Sequence, residues 1–152
     1  MSGLNFEDEN NLLTPIILYI NYITFQQNDY FKKNFKNTTP MDFVYLANIF
    51  FHQNISQKDL SELLYVSESN VAQIIKRLEK NGLVIRRIDE NKKSRKNIDL
   101  TEKGRLLISH IIKVNYEWED GFFNDYSSDE VELFKKMLYD LYQKSVDFNH
   151  PE

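Results

Sequence analysis

Residues 67–104 read SESNVAQIIKRLEKNGLVIRRIDENKKSRKNIDLTEKG. Ser67 offers the side-chain oxygen of a helix N-cap, and Val71, Ile74, Ile75 and Leu78 recur behind it at helical spacing. Asn81-Gly82 closes this helix over 67–80, with glycine at the position that favours a left-handed backbone. The period then changes. Leu83, Val84, Ile85 and Ile88 suit a strand, 90–93 is a polar turn, and Asn97-Ile98-Asp99-Leu100 alternates like a second strand. A helix followed at once by a two-stranded hairpin rich in lysine and arginine is the sequence form of a recognition helix and its wing.

The flanks extend this pattern in both directions. Upstream, Ser56 with Asp59 forms a capping box for a short helix that turns Leu60, Leu63 and Leu64 inward and stops at Tyr65-Val66. Thr39-Pro40 opens a helix through Phe43, Leu46 and Phe50 that ends near Gln53-Asn54. Further back, Thr14-Pro15 offers a cap and first-turn proline for one long helix over 12–35. Its apolar side chains cover more than one face, so it needs a second burial partner. Downstream, Thr101 caps a helix running to about Asn115 or beyond, and Ser127 with Glu130 boxes a last helix carrying Phe134, Met137, Leu138 and Leu141. The fold class is mainly α with a small β-wing, a winged helix-turn-helix over 39–100. Long N- and C-terminal helical regions, 1–38 and 101–152, complete one compact unit.

Composition narrows the function. The chain has 152 residues, 41% hydrophobic and 14% aromatic, which suits a domain with a real core. No apolar run approaches the roughly 20 residues of a membrane span, and 1–11 is polar and acidic, unlike a secretory signal, so a cytoplasmic protein is expected. There is no cysteine, which excludes disulfides, thiolate nucleophiles and thiol redox switching. His52, His110 and His150 lack metal-ligand spacing, and neither metal nor cofactor is expected. Four glycines without a phosphate loop or a nucleophile motif leave no basis for an enzyme.

Net charge is −4, yet 56–105 carries twelve basic and eight acidic side chains, while the rest of the chain is at −8. Within 76–96 nine basic residues face three acidic ones. Such a patch holds a polyanion in one orientation while the remaining surface repels it. With the apolar stripe inward, the helical period leaves Ser69, Asn70, Gln73, Lys76 and Arg77 pointing outward. Asn70 and Gln73 suit adenine, and Lys76 and Arg77 suit guanine or phosphate. Ser67 and Ser69 suit a phosphate at the helix N-terminus. Arg86, Arg87, Lys92, Lys93, Arg95 and Lys96 on the hairpin suit the DNA backbone or the minor groove. The rival is a winged module that binds protein, which has no need for that density of positive charge.

The stretch 39–104 resembles the MarR family of regulators. The resemblance rests on Thr39-Pro40, Ile55-Ser56-Gln57-Lys58-Asp59-Leu60, Val66-Ser67-Glu68-Ser69-Asn70-Val71, Ile75-Lys76-Arg77-Leu78-Glu79-Lys80-Asn81-Gly82-Leu83-Val84 and Leu100-Thr101-Glu102-Lys103-Gly104. It implies a homodimer whose first and last helices interlock, making 1–38 and 101–152 a dimerisation region. It also implies double-stranded DNA as partner, a palindromic operator, a repressor role and a small aromatic effector. Tyr19, Tyr22, Phe25, Tyr30, Phe43 and Trp118 are the candidate effector pocket. Two departures stand out. Lys92, Lys93 and Ser94 replace the family's usual acidic residue and arginine in the wing. Tyr65 stands where relatives commonly place glycine, so either a positive φ strains it or the turn takes a different shape.

Overall fold

The computed structural model describes residues 13–88 and 95–151. The acidic lead at 1–11, the expected wing turn at 90–93 and, with it, Lys92 and Lys93 lie outside the described residues. The element order is α1 (Ile16–Asn34), α2 (Pro40–Phe51), α3 (Gln57–Leu64), α4 (Glu68–Lys80), β1 (Val84–Ile88), β2 (Lys96–Leu100), α5 (Glu102–Asp120) and α6 (Ser128–Asn149). This is the mainly helical, winged architecture that the periodicities predict. Contacts group the chain into two compact units, 1–108 and 109–152. Among the described residues no helix is long and apolar enough to cross a membrane.

In the first unit the core forms where the helical stripes converge. Phe31, Tyr45, Leu46, Ile49, Leu60, Val71, Ile75, Leu78, Val84, Ile98 and Ile108 are buried. Val71, Ile75 and Leu78 lie at i, i+4 and i+7, so one face of α4 supplies three of them. Ile74 is only half-buried and Leu63 is exposed, so the stripes are narrower than their sequence period implies. Antiparallel β1 and β2 pair Val84 with Leu100 and Arg86 with Ile98. A further bridge joins Ser56 to Asn97, and the Ile98 N–H donates to the Ile55 carbonyl at 2.8 Å. The wing is thereby tied to the start of α3, a link that the sequence pattern does not display.

The helix ends explain themselves locally. Thr39 and Ser56 each accept from the backbone N–H three residues on, while Asp42 and Asp59 reach back to the cap N–H groups. Pro15, rather than Thr14, is the N-cap of α1 and makes no side-chain cap bond. At the end of α4, Gly82 has φ +71°, its N–H donates to the Glu79 carbonyl, and the Leu83 N–H donates to the Leu78 carbonyl. These are the two paired bonds of a Schellman close.

The end of α3 makes the same two bonds with tyrosine in the glycine position. Tyr65 has φ 53° and ψ 42°, its N–H donates to the Glu62 carbonyl, and the Val66 N–H donates to the Ser61 carbonyl. A left-handed backbone costs a residue with Cβ about 1–2 kcal/mol, and glycine loses part of that gain through its freer unfolded chain. Tyr65→Gly is therefore expected to raise stability by about 0.5–1 kcal/mol, read as a shift in urea midpoint. A lowered midpoint would show that contacts of the Tyr65 ring outweigh the backbone strain.

In the second unit, Ile111 and Val114 of α5 are buried. Trp118 meets Phe122 edge-on with ring centroids 4.6 Å apart, and Phe123 packs near Phe134 at 5.9 Å. The capping box of Ser127 and Glu130 opens α6, and no residue of α6 is buried. Phe134, Leu138, Leu141 and Tyr142 form an exposed stripe at i, i+4, i+7 and i+8 along it.

Candidate nucleic-acid interface

Helix α4 turns its buried stripe to the core and its polar face to solvent, as its period predicts. At the N-terminus the Ser67 hydroxyl accepts from the Asn70 N–H and lies 3.0 Å from the Ser69 hydroxyl. The two serines are thus partly engaged with each other beside the free N–H groups of the first turn. Asn70 accepts a long hydrogen bond, 3.4 Å, from the buried Tyr45 hydroxyl. Burial raises the Tyr45 phenol above its ordinary pKa, which keeps it a neutral donor. One more turn along, Gln73 and Lys76 are exposed, and no side-chain partner is described for either.

Arg77 differs from them. Its guanidinium pairs with Asp42, whose carboxylate is 4% exposed against 49% for the Arg77 side chain. Asp42 also caps α2 through the Thr39 N–H at 2.8 Å. The outward period of Arg77 is correct, but its charge is directed to a carboxylate on α2.

On the wing, Arg87 pairs with Asp99 on the facing strand at 3.2 Å. Arg86 lies 3.5 Å from Glu79 of α4, close enough for charge attraction while its Nε makes no hydrogen bond. Arg95 donates to Asp59 at 2.5 Å, to the Asn54 carbonyl at 3.0 Å and to the Asn97 side chain at 3.1 Å. Lys96 is exposed. Partial burial is the largest influence on Asp59 and pushes its carboxyl up. The bonds from Ser56 and the charges of Arg95 and Lys58 together outweigh it and hold the group below its ordinary value. Asp42, Asp59, Glu79 and Asp99 are the carboxylate partners that sequence reasoning missed. The Thr39-x-x-Asp42 and Ser56-x-x-Asp59 boxes were the visible signal for the first two, since a capping carboxylate has a lone pair to spare.

The six aromatic pocket candidates differ in exposure. Tyr22 and Phe25 are exposed, Tyr19, Tyr30 and Phe43 are half-buried, and Trp118 belongs to the second unit. A separate open cleft of about 290 Å³ lies beside the wing root, lined by His52, Asn54, Ile55, Asp59, Leu63 and Arg95 among others.

The MarR family model matches residues 38–94. An uncharacterised HTH-type transcriptional regulator of Bacillus cereus is 31% identical over 119 residues, 78% of this chain and 76% of that protein. The chain belongs to the MarR family. The crystal structure of MarR superposes with a TM-score of 0.79 at 26% identity, covering 97% of this chain and 98% of that one. The structure of Staphylococcus aureus MepR in complex with DNA gives a TM-score of 0.74 at 21% identity, over 86% of this chain and 98% of that one, and so shares the fold. As a MarR-family transcriptional regulator the chain is not an enzyme.

Proposed function

We propose that this MarR-family chain acts as a homodimer that binds a palindromic double-stranded DNA operator sequence-specifically and represses by occupying it. The observation that carries the reading is α4: a helix held by a buried stripe, with Gln73 and Lys76 exposed on its outer face beside a wing of clustered positive charge. A side-chain amide reads a base edge and an ammonium holds a phosphate or a guanine. MepR, a protein of the same fold, has been crystallised with DNA, which supports the reading. The dimer is supported by exposed apolar faces on α1 (Ile16, Ile17, Ile23, Phe25) and on α6, larger than solitary surface residues require.

Selection from a random DNA pool with the purified protein is expected to enrich a palindrome whose half-sites lie about one helical turn apart. No enrichment would count against specific reading. On the enriched site, Lys76→Ala is expected to lower the slope of log affinity against log salt by about one unit. A slope equal to wild type would remove Lys76 from the phosphate contacts, and salt-independent binding of a protein instead of DNA would favour the protein-binding rival. The finer part of the proposal is release by a small aromatic effector, for which Tyr19, Tyr22, Phe25 and Tyr30 of α1 supply rings. Loss of the DNA complex on adding phenolic acids tests it.

A further inference from the structure

We propose that Arg77 and Arg95 are positioning residues: each clamps a DNA-reading element to a carboxylate that already caps another helix. The inference rests on the DNA-binding reading above and changes what two of its basic residues do. Asp42 accepts from the Thr39 N–H through Oδ2 and from Arg77 through Oδ1. Asp59 accepts from the Ser56 N–H at 2.7 Å and from Arg95 at 2.5 Å. The same construction therefore occurs twice, at the N-termini of α2 and α3, and in each case the arginine comes from the surface expected to face DNA.

Burial decides the first clamp. The Asp42 carboxylate is almost wholly buried, and a buried carboxylate deprived of its cation is strongly destabilised. Arg77 leaving for a phosphate would create that state. Held in place, Arg77 fixes the rotation of α4 about its own axis relative to α2. Gln73 lies one turn earlier on the same face, so its approach to a base edge is set by that rotation.

Acceptor geometry decides the second. Arg95 spends its donors on three groups, the Asn54 carbonyl, the Asp59 carboxylate and the Asn97 side chain. Two of these belong to the approach to α3 and its first turn, and the third to β2. The clamp runs parallel to the Ile98-to-Ile55 backbone bond and the Ser56–Asn97 bridge, so it fixes the angle at which the wing leaves the domain. A lysine carries the same charge but cannot reproduce this fork of donors.

The roles separate by experiment on the full chain with its selected DNA, at a temperature where circular dichroism shows every variant folded. As a clamp, Arg95→Lys is expected to weaken binding about tenfold without changing the salt slope, whereas a phosphate contact would keep its affinity with lysine. Asp59→Asn retains an oxygen to accept from the Ser56 N–H and removes a negative charge, so electrostatics alone predicts tighter binding. The clamp predicts weaker binding, with the double variant no weaker than either single one. Arg77→Gln is expected to lose affinity at unchanged slope; a slope reduced by about one unit would make Arg77 a phosphate contact.

Hydrogen exchange in the free protein gives a readout that needs no DNA: the Ile98 amide should exchange faster in both Arg95→Lys and Asp59→Asn. Unchanged Ile98 exchange, or tighter DNA binding by Asp59→Asn, overturns the clamp at the wing. If the wild-type protein bound no DNA, the functional reading would fall, while the exchange result would still decide whether Arg95 positions the wing.

Discussion

Gly104→Ala is expected to destabilise the protein by about 3 kcal/mol, although alanine is the better helix former. Gly104 lies in the first turn of α5, where propensity alone favours alanine over glycine by about 1 kcal/mol. Geometry reverses the sign. A Cβ at this position would lie 2.0 Å from the Leu83 carbonyl oxygen and 3.0 Å from its carbon. Both are backbone atoms that cannot rotate aside. The Leu83 carbonyl is itself fixed, because it accepts from the Thr101 N–H at 3.0 Å. Thr101 holds the junction further by accepting from the Gly104 N–H and donating to the Gly82 carbonyl at 2.7 Å. The extra methyl must therefore push the start of α5 away from the root of β1, loosening Leu83 and Leu100, both buried there. Urea denaturation measures the change, and a stability equal to or above wild type would mean that α5 does not press on the wing root. Gly82 makes the contrast: its φ of +71° demands glycine, but a Cβ there meets nothing within 4 Å, so its cost is confined to the backbone.

What the sequence made legible and what it hid follow from the range of the forces involved. The caps at Thr39, Ser56, Ser67 and Ser127, the glycine close at Gly82 and the two strands are set by neighbours a few residues away, and all are present. At Tyr65 the sequence left a strained positive φ and a differently shaped turn both open, and the chain takes the positive φ. The Thr14-Pro15 signal was off by one position, since Pro15 is the N-cap of α1 and not its first-turn proline. Leu63 failed as a core residue because a helix of eight residues buries only a narrow stripe. The largest gap lay in the arginines. Periodicity places Arg77 on the outer face of its helix and the hairpin reading puts Arg95 on the wing, yet nothing local separates a charge open to DNA from one paired 35 or 36 positions away. Among the described candidates Gln73, Lys76 and Lys96 stay exposed, whereas Arg77 and Arg95 spend their charge on carboxylates.

Replacing Leu138 and Leu141 together with glutamate is expected to convert the proposed dimer to monomers and to remove high-affinity DNA binding. In the single chain both side chains are about two-fifths exposed, and substitutions on an exposed face usually change stability by no more than about 0.5 kcal/mol. A second copy covering the stripe changes that arithmetic. Each leucine then buries its remaining two-fifths, worth about 0.6–1.2 kcal/mol of apolar burial and counted on both copies, and each glutamate would have to be buried without a partner. A loss near 5 kcal/mol corresponds to more than about a thousandfold in the dimer constant. DNA affinity should fall at least about a hundredfold, since a monomer reaches one half-site and loses the linked second contact. The circular dichroism of the variant should stay helical, because no residue of α6 is buried within the chain. Sedimentation velocity on both proteins decides the matter. A wild-type monomer, or a variant that still sediments as a dimer, would show that the α6 stripe serves a different partner. A monomeric variant that keeps full affinity would mean that one winged domain suffices to read the site.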